Sequence, residues 1–242
     1  MRQNKDIFVA HGKKYFDNIP EVDSEIYSRE LSWSHCYKAF AKFKNKMPND
    51  KEADYLALHL AAYLASWGMY RGNTFLLQYM DYKIHIPVVK MIFEKEYSIL
   101  WDVNNYDDID NLWSAIKKLK EKIESHYNNV KPDKSSAVTD TLITKILLGT
   151  SGCVPAYDTN VCSALKKIGI NSNFGITSIK EIYRCYKDNE AYINAIREQS
   201  EEKEKLESCP IMRVIDACLW KYGEEIEKEK EAQKKLSGGN HV

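Results

Sequence analysis

The sequence predicts an all-α fold of about nine or ten helices. Three observations lead there. Apolar residues recur three and four positions apart along most of the chain, Pro and Gly are few (6 and 10 of 242 residues), and no run alternates strictly enough to make a strand. The length suits one large domain or two packed helical lobes. The stretch "KPDKSS", 131–136, is the best lobe boundary. It would separate an N-terminal lobe, 1–130, from a C-terminal lobe, 137–236; one continuous domain is the alternative.

The elements follow in order. "DSEIYSRELSWSHCYKAFAKFKN" contains a helix over roughly 32–45, with Trp33, Tyr37, Phe40 and Phe43 on one face. Asp50 is placed to cap the next helix, about 51–69, whose stripe is Leu56, Leu60, Tyr63, Leu64 and Trp67 and which Gly68 and Gly72 help to end. Pro87 begins or kinks a helix running to about Trp101. In "DDIDNLWSAIKKLKEKIESHYNNV", acidic residues lead and Lys follows, matching the helix dipole. Its Ile109, Leu112, Ile116, Leu119 and Ile123 keep helical spacing. Helical signals resume at about 137–149, 159–168, 177–187, 189–206 and 210–235, with Pro210 in the first turn of the last. The tail "SGGNHV" carries no such signal and is expected to be disordered.

Composition narrows the function classes. Lys plus Arg is 35 and Asp plus Glu is 35, so the chain lacks the strong basic excess of many nucleic-acid-binding domains. The 16 Tyr, against 7 Phe, suit half-buried helical surfaces or a binding face. Cysteines at 36, 153, 162, 185, 209 and 218 include no C-x-x-C pair, and the six His do not pair at ligand spacing. Neither a metal site nor a cofactor is expected. The N-terminal stretch is too polar for a signal peptide, which points to reduced, mostly buried thiols in a cytoplasmic protein. The longest apolar stretch, "LALHLAAYLASWGMY", is about 15 residues against the roughly 20 that span a bilayer, so no membrane partner is expected.

The most informative stretch is "CVPAYDTNV", Cys153–Val161. Asp158 precedes a helix whose apolar face is Val161, Leu165 and Ile168. As an N-cap it would accept a bond from the second or third helix amide, contributing about 1 kcal/mol. The longer string "TKILLGTSGCVPAYDTNVCSAL", 144–165, resembles the helix, loop and aspartate segment of the helix-hairpin-helix DNA glycosylases. The resemblance covers about a tenth of the chain. It implies DNA as partner, an all-helical two-lobed fold around a cleft, and Asp158 as the catalytic carboxylate that stabilises positive charge developing on a sugar when its base departs. It also implies that Tyr157 stacks on an extruded base. Asn160, Lys166 and Lys167 would contact the nucleic acid, with Lys180, Arg184 and Lys187 on the same side. Core packing for Tyr157 and a solvated face for the lysines are the plainer alternatives.

The chain departs from that family in three ways. "SSAVTDTLITK" lacks the hairpin glycines that hold a phosphate, and no cluster-binding cysteine set is present. The Schiff-base lysine of bifunctional members would fall near 140–143, where there is none; Lys145 is close, and its shifted position suggests a surface residue. Lyase activity is therefore not expected. Two other function classes compete. Arg29 and His35 have the spacing of a HEPN-type ribonuclease motif, although His35, among Trp33, Cys36 and Tyr37, reads as half-buried and structural. A non-enzymatic helical module with a protein partner would instead show an apolar or Tyr-rich patch. Arg71, in the turn between Gly68 and Gly72, could hold an anion or cap helix carbonyls. Asp216 and Trp220 have either core packing or a cleft as their place.

Overall fold

A computed structural model describes residues 6–101, 108–132 and 138–238. Much of the expected 131–136 loop and most of the C-terminal tail lie outside the described residues. The described residues are helical throughout, without strands. A π-helical turn, Phe8–Gly12, runs into α1 (Lys13–Asn18). Then come α2 (Leu31–Ala41), α3 (Asp50–Ser66), α4 (Phe75–Tyr79), α5 (Ile86–Ile92), α6 (Ile109–Val130), α7 (Asp140–Thr150), α8 (Thr159–Lys167), α9 (Ile176–Asp188), α10 (Glu190–Glu204) and α11 (Ile211–Gly238). Short 3-10 segments, Tyr82–His85 and Lys95–Trp101, flank α5. The count runs slightly above nine or ten because α1 and α4 are short helices outside the stretches marked by periodicity.

Local chemistry sets the boundaries. The N-cap of α3 is Asn49, not Asp50: Asn49 Oδ1 accepts from Glu52 N at 3.0 Å and Asn49 N donates to Glu52 Oε2 at 2.7 Å. Asp50 is the first helical residue and pairs instead with Lys90 on α5. Pro87 stands at the start of α5, where its missing N–H costs nothing.

One hydrophobic cluster runs from Tyr15 to Leu219, through both halves of the chain. In the first half α3 is central, packing on α2 and α5. In the second, α8 lies along α11, and the N-terminal π-helical turn packs on α10 and α11. Here α11 and α8 touch backbone to backbone: a Cβ at Gly223 would overlap the Asn160 carbonyl. Helix α7 joins the halves by packing on α2 and α3. Every residue of α7 from Leu142 to Thr150 is buried, including its one charged residue in that run, Lys145.

All six cysteines are free thiols, five of them buried. Among the described residues no helix is long and apolar enough to cross a membrane.

Candidate functional site

The segment after α7 is a buried loop, an arrangement that requires every backbone group to find a partner. Helix α7 ends at Gly152, whose φ of +69° turns the chain and whose missing Cβ leaves room for the Pro210 ring. From Cys153 to Tyr157 all residues are buried. Three polar side chains hold this stretch. Ala156 N donates to Asp216 Oδ1 at 2.8 Å, Tyr157 N donates to Thr144 Oγ1 at 2.9 Å, and Tyr157 O accepts from Thr141 Oγ1 at 2.8 Å. Two threonines one turn apart on α7 and one aspartate on α11 thus fix where Asp158 begins α8.

Asp158 does two things at once. Its Oδ1 accepts from Val161 N at 3.1 Å, the expected cap. Its Oδ2 lies 3.5 Å from Lys145 Nζ. The Lys145 ammonium also donates to the Trp67 carbonyl at 2.7 Å, one of the free carbonyls at the end of α3. Lys145 is therefore not the surface residue its sequence position suggested; its side chain is 8% exposed and faces the carboxylate. Burial lowers its pKa, against the pull of Asp158 and Asp216.

Behind this pair stands a second layer. Arg213 on α11 is buried, its guanidinium 4.5 Å from the Trp33 ring centroid. It donates to the Tyr15 hydroxyl at 2.9 Å and lies 3.5 Å from Glu204 and 3.8 Å from Asp216. Glu204 accepts from Ser34 and Ser200 at 2.7 and 2.8 Å. Burial disfavours charge on Arg213, but Tyr15, Glu204 and Asp216 outweigh it and hold the guanidinium charged. Asp216 is pushed up to about 7, because burial outweighs the nearby Arg213. A carboxyl that exchanges its proton near neutrality thus sits beside the Lys145–Asp158 pair.

These groups line a cleft where α2, α3, α7, α8 and α11 converge. Its walls are aromatic: Trp33, Tyr63, Trp67 and Trp220. Trp67 and Trp220 stand edge to face at 5.5 Å, and the Arg29 guanidinium lies 5.3 and 5.4 Å from their ring centroids. The free volume inside is about 10 Å³, roughly enough for one water.

The other expected contacts do not meet here. Tyr157 is buried away from the cleft walls, with its hydroxyl 2.7 Å from Ser178 and its ring against Phe174, so its place is core packing rather than base stacking. Asn160 packs its backbone on Gly223, and Lys166 and Lys167 are exposed in the last turn of α8. None of the three lines the cleft. Lys180 pairs with Asp110 and Lys187 with Glu190. Asp216 and Trp220 do line it. Arg29 is engaged by the two indoles and Glu30, while His35 is exposed on α2 rather than half-buried. Exposed Tyr27, Tyr55, Tyr79 and Tyr192 belong to four different segments.

Of the contributors, sequence reasoning misplaced Lys145 and passed over Arg213. A signal was available: each is the lone cation in a run with no polar helix face, "LITKILLG" and "PIMRVIDACL", and burial is then forced by the fold. No protein-family model, curated protein or solved structure matches the chain.

Proposed function

We propose that the cleft is the site of a base-excising enzyme of the DNA glycosylase type. The observation that carries this reading is the lysine–carboxylate pair, 3.5 Å apart, at the floor of an aromatic-walled cleft. The reaction it suits is displacement at the sugar carbon that bears the base. In its neutral form the Lys145 amine attacks that carbon, the carbon–nitrogen bond to the base breaks, and the electron pair leaves with the base, which takes up a proton from solvent water. The new ammonium centre gives its proton to a carboxylate. Asp158 offsets the positive charge of the sugar as the bond breaks, the kind of fixed electrostatic contribution that is largest in a dry site. Burial of Lys145 favours the neutral amine that attack requires. Asp216 stands ready as the proton store, since its carboxyl titrates at about 7. With Lys145 in this place, strand cleavage through an imine joins base release as an expected activity.

The test is base release from oligonucleotides carrying a panel of damaged and mismatched bases, single-stranded and duplex. The wild-type chain releases at least one of them. Asp158→Asn lowers that rate about 100- to 1,000-fold. A rate unchanged in Asp158→Asn, or release of no base from the panel, contradicts the reading.

A further inference from the structure

The cleft has the groups for chemistry and room for about one water, so a wall has to move before any ring can enter. The structure distinguishes which. Trp33 is buried and its indole N–H donates to the Leu148 carbonyl at 2.9 Å. Trp67 is tethered by its N–H to Ser32 Oγ at 3.0 Å. Tyr63 is buried in the core. Trp220, half-buried like Trp67, has no such tether: among the described residues its N–H has no hydrogen-bond partner. It also has somewhere to go. A second, more open cavity of about 160 Å³ is lined by Lys14, Tyr15, Asn18, Arg29 and Lys221 among others, and Trp220 lines both spaces. The Tyr15 ring, already edge to face with Trp220 at 6.4 Å, belongs to that second lining.

We propose that Trp220 is the movable wall of the cleft, and that a planar heteroaromatic ring of the ligand takes the place its indole vacates beside Trp67. In the closed form Trp220 stands in for that ring, edge to face with Trp67 and under the Arg29 guanidinium. Moving it into the second cavity opens a path to Lys145 and Asp158 and separates the two rings that Arg29 bridges. Arg29 acts as the latch, because its cation lies over both rings. This inference rests on the base-excision reading for the identity of the ring, but its test needs no base release and no DNA.

Lys145 reports whether the wall is open. Reductive methylation with formaldehyde and cyanoborohydride, mapped by peptide mass spectrometry, measures its access to solvent. In the wild-type chain Lys145 reacts slowly; in Trp220→Ala it reacts about tenfold faster, because the open fraction sets the rate. Arg29→Ala gives a smaller acceleration. Trp220→Phe, which keeps a ring in α11, gives an intermediate rise and serves where the alanine variant does not fold. Lys131, 3% exposed and outside the cleft, is the internal control and keeps its slow rate. Adenine at millimolar concentration protects Lys145 in Trp220→Ala, whereas cyclohexanol does not. An unchanged Lys145 rate in the folded tryptophan variants overturns the movable wall, as does a rise in Lys131 that keeps step with Lys145. Equal protection by adenine and cyclohexanol overturns the planar seat. Should the oligonucleotide panel show no base release while these rates behave as expected, the base-excision reading fails and the movable wall stands.

Discussion

The polar cluster around His85 and the one around Lys145 are both buried, and they are finished differently. His85 Nδ1 is 2.6 Å from the Tyr127 hydroxyl and Nε2 is 2.8 Å from the Tyr70 hydroxyl, so both ring nitrogens are satisfied by neutral partners. Burial, with His126 nearby, holds its pKa down at about 3, and the ring is neutral at any ordinary pH. Around Lys145 the partners are charged, the Arg213 Nε is buried with no hydrogen-bond partner among the described residues, and a cleft adjoins. The first cluster ties α6 to the turn before α5. The second keeps ionisable groups next to a cleft with room for about one water. Burial and polarity alone do not single out a candidate site; ionisable groups clustered beside a cleft do.

The comparison breaks if substitutions in the two clusters behave alike. Asp158→Asn is expected to lower base release about 100- to 1,000-fold. The same change keeps the helix cap, because Asn and Asp cap about equally well, but it removes the charge facing buried Lys145 and costs about 1–3 kcal/mol. His85→Leu costs stability without activity: it leaves the buried Tyr127 hydroxyl and the half-buried Tyr70 hydroxyl without their partner, at about 2–4 kcal/mol read by urea denaturation, with activity altered less than about twofold. Next in size, Thr144→Val removes the acceptor of the Tyr157 amide and is expected to cost about 1–3 kcal/mol, together with part of the activity, because the loop carrying Asp158 loosens.

The smallest effect is a pair of opposed pH slopes. The folded-state pKa of His85 lies below its ordinary 6.5, so its contribution is present above that pH and is lost as pH falls toward about 3. The folded-state pKa of Asp216 lies above its ordinary 3.8, so its contribution is present below about 4 and is lost as pH rises through about 7. Stability measured from pH 4 to 7 then changes slope in opposite directions in His85→Leu and Asp216→Asn, by at most about 1.4 kcal/mol per pH unit each. Slopes of the same sign would show that the clusters are not distinct in kind.

Much of the fold was legible because helix periodicity survives in a single sequence. The stripes of α3 and α6 lie where their spacing placed them, and the one-residue shift of the α3 cap reflects two adjacent residues, Asn49 and Asp50, that can each fill that role. The site was half legible. Asp158 was read as either a cap or a reactive carboxylate, yet a carboxylate has two oxygens, and here one caps while the other faces Lys145. Lys145 escaped because a position in a helix gives no depth, and only the packing of α7 between the two halves buries it. For Tyr157 the plainer of its two readings, core packing, is where the structure places it: its hydroxyl meets Ser178 and its ring Phe174. The convergence of Trp33, Trp67 and Trp220 from α2, the end of α3 and α11 was not legible at all, since nothing local to those three stretches says that they meet.

The central claim is that Lys145 and Asp158 act together on a sugar carbon in this cleft. Borohydride trapping on abasic-site DNA tests it most directly, because an imine between a lysine and the opened sugar is reduced to a permanent adduct. The account predicts an adduct mapping to the peptide that contains Lys145, absent in Lys145→Gln and retained in His85→Leu. No adduct, or one found only on exposed lysines such as Lys166 and Lys167, would contradict it.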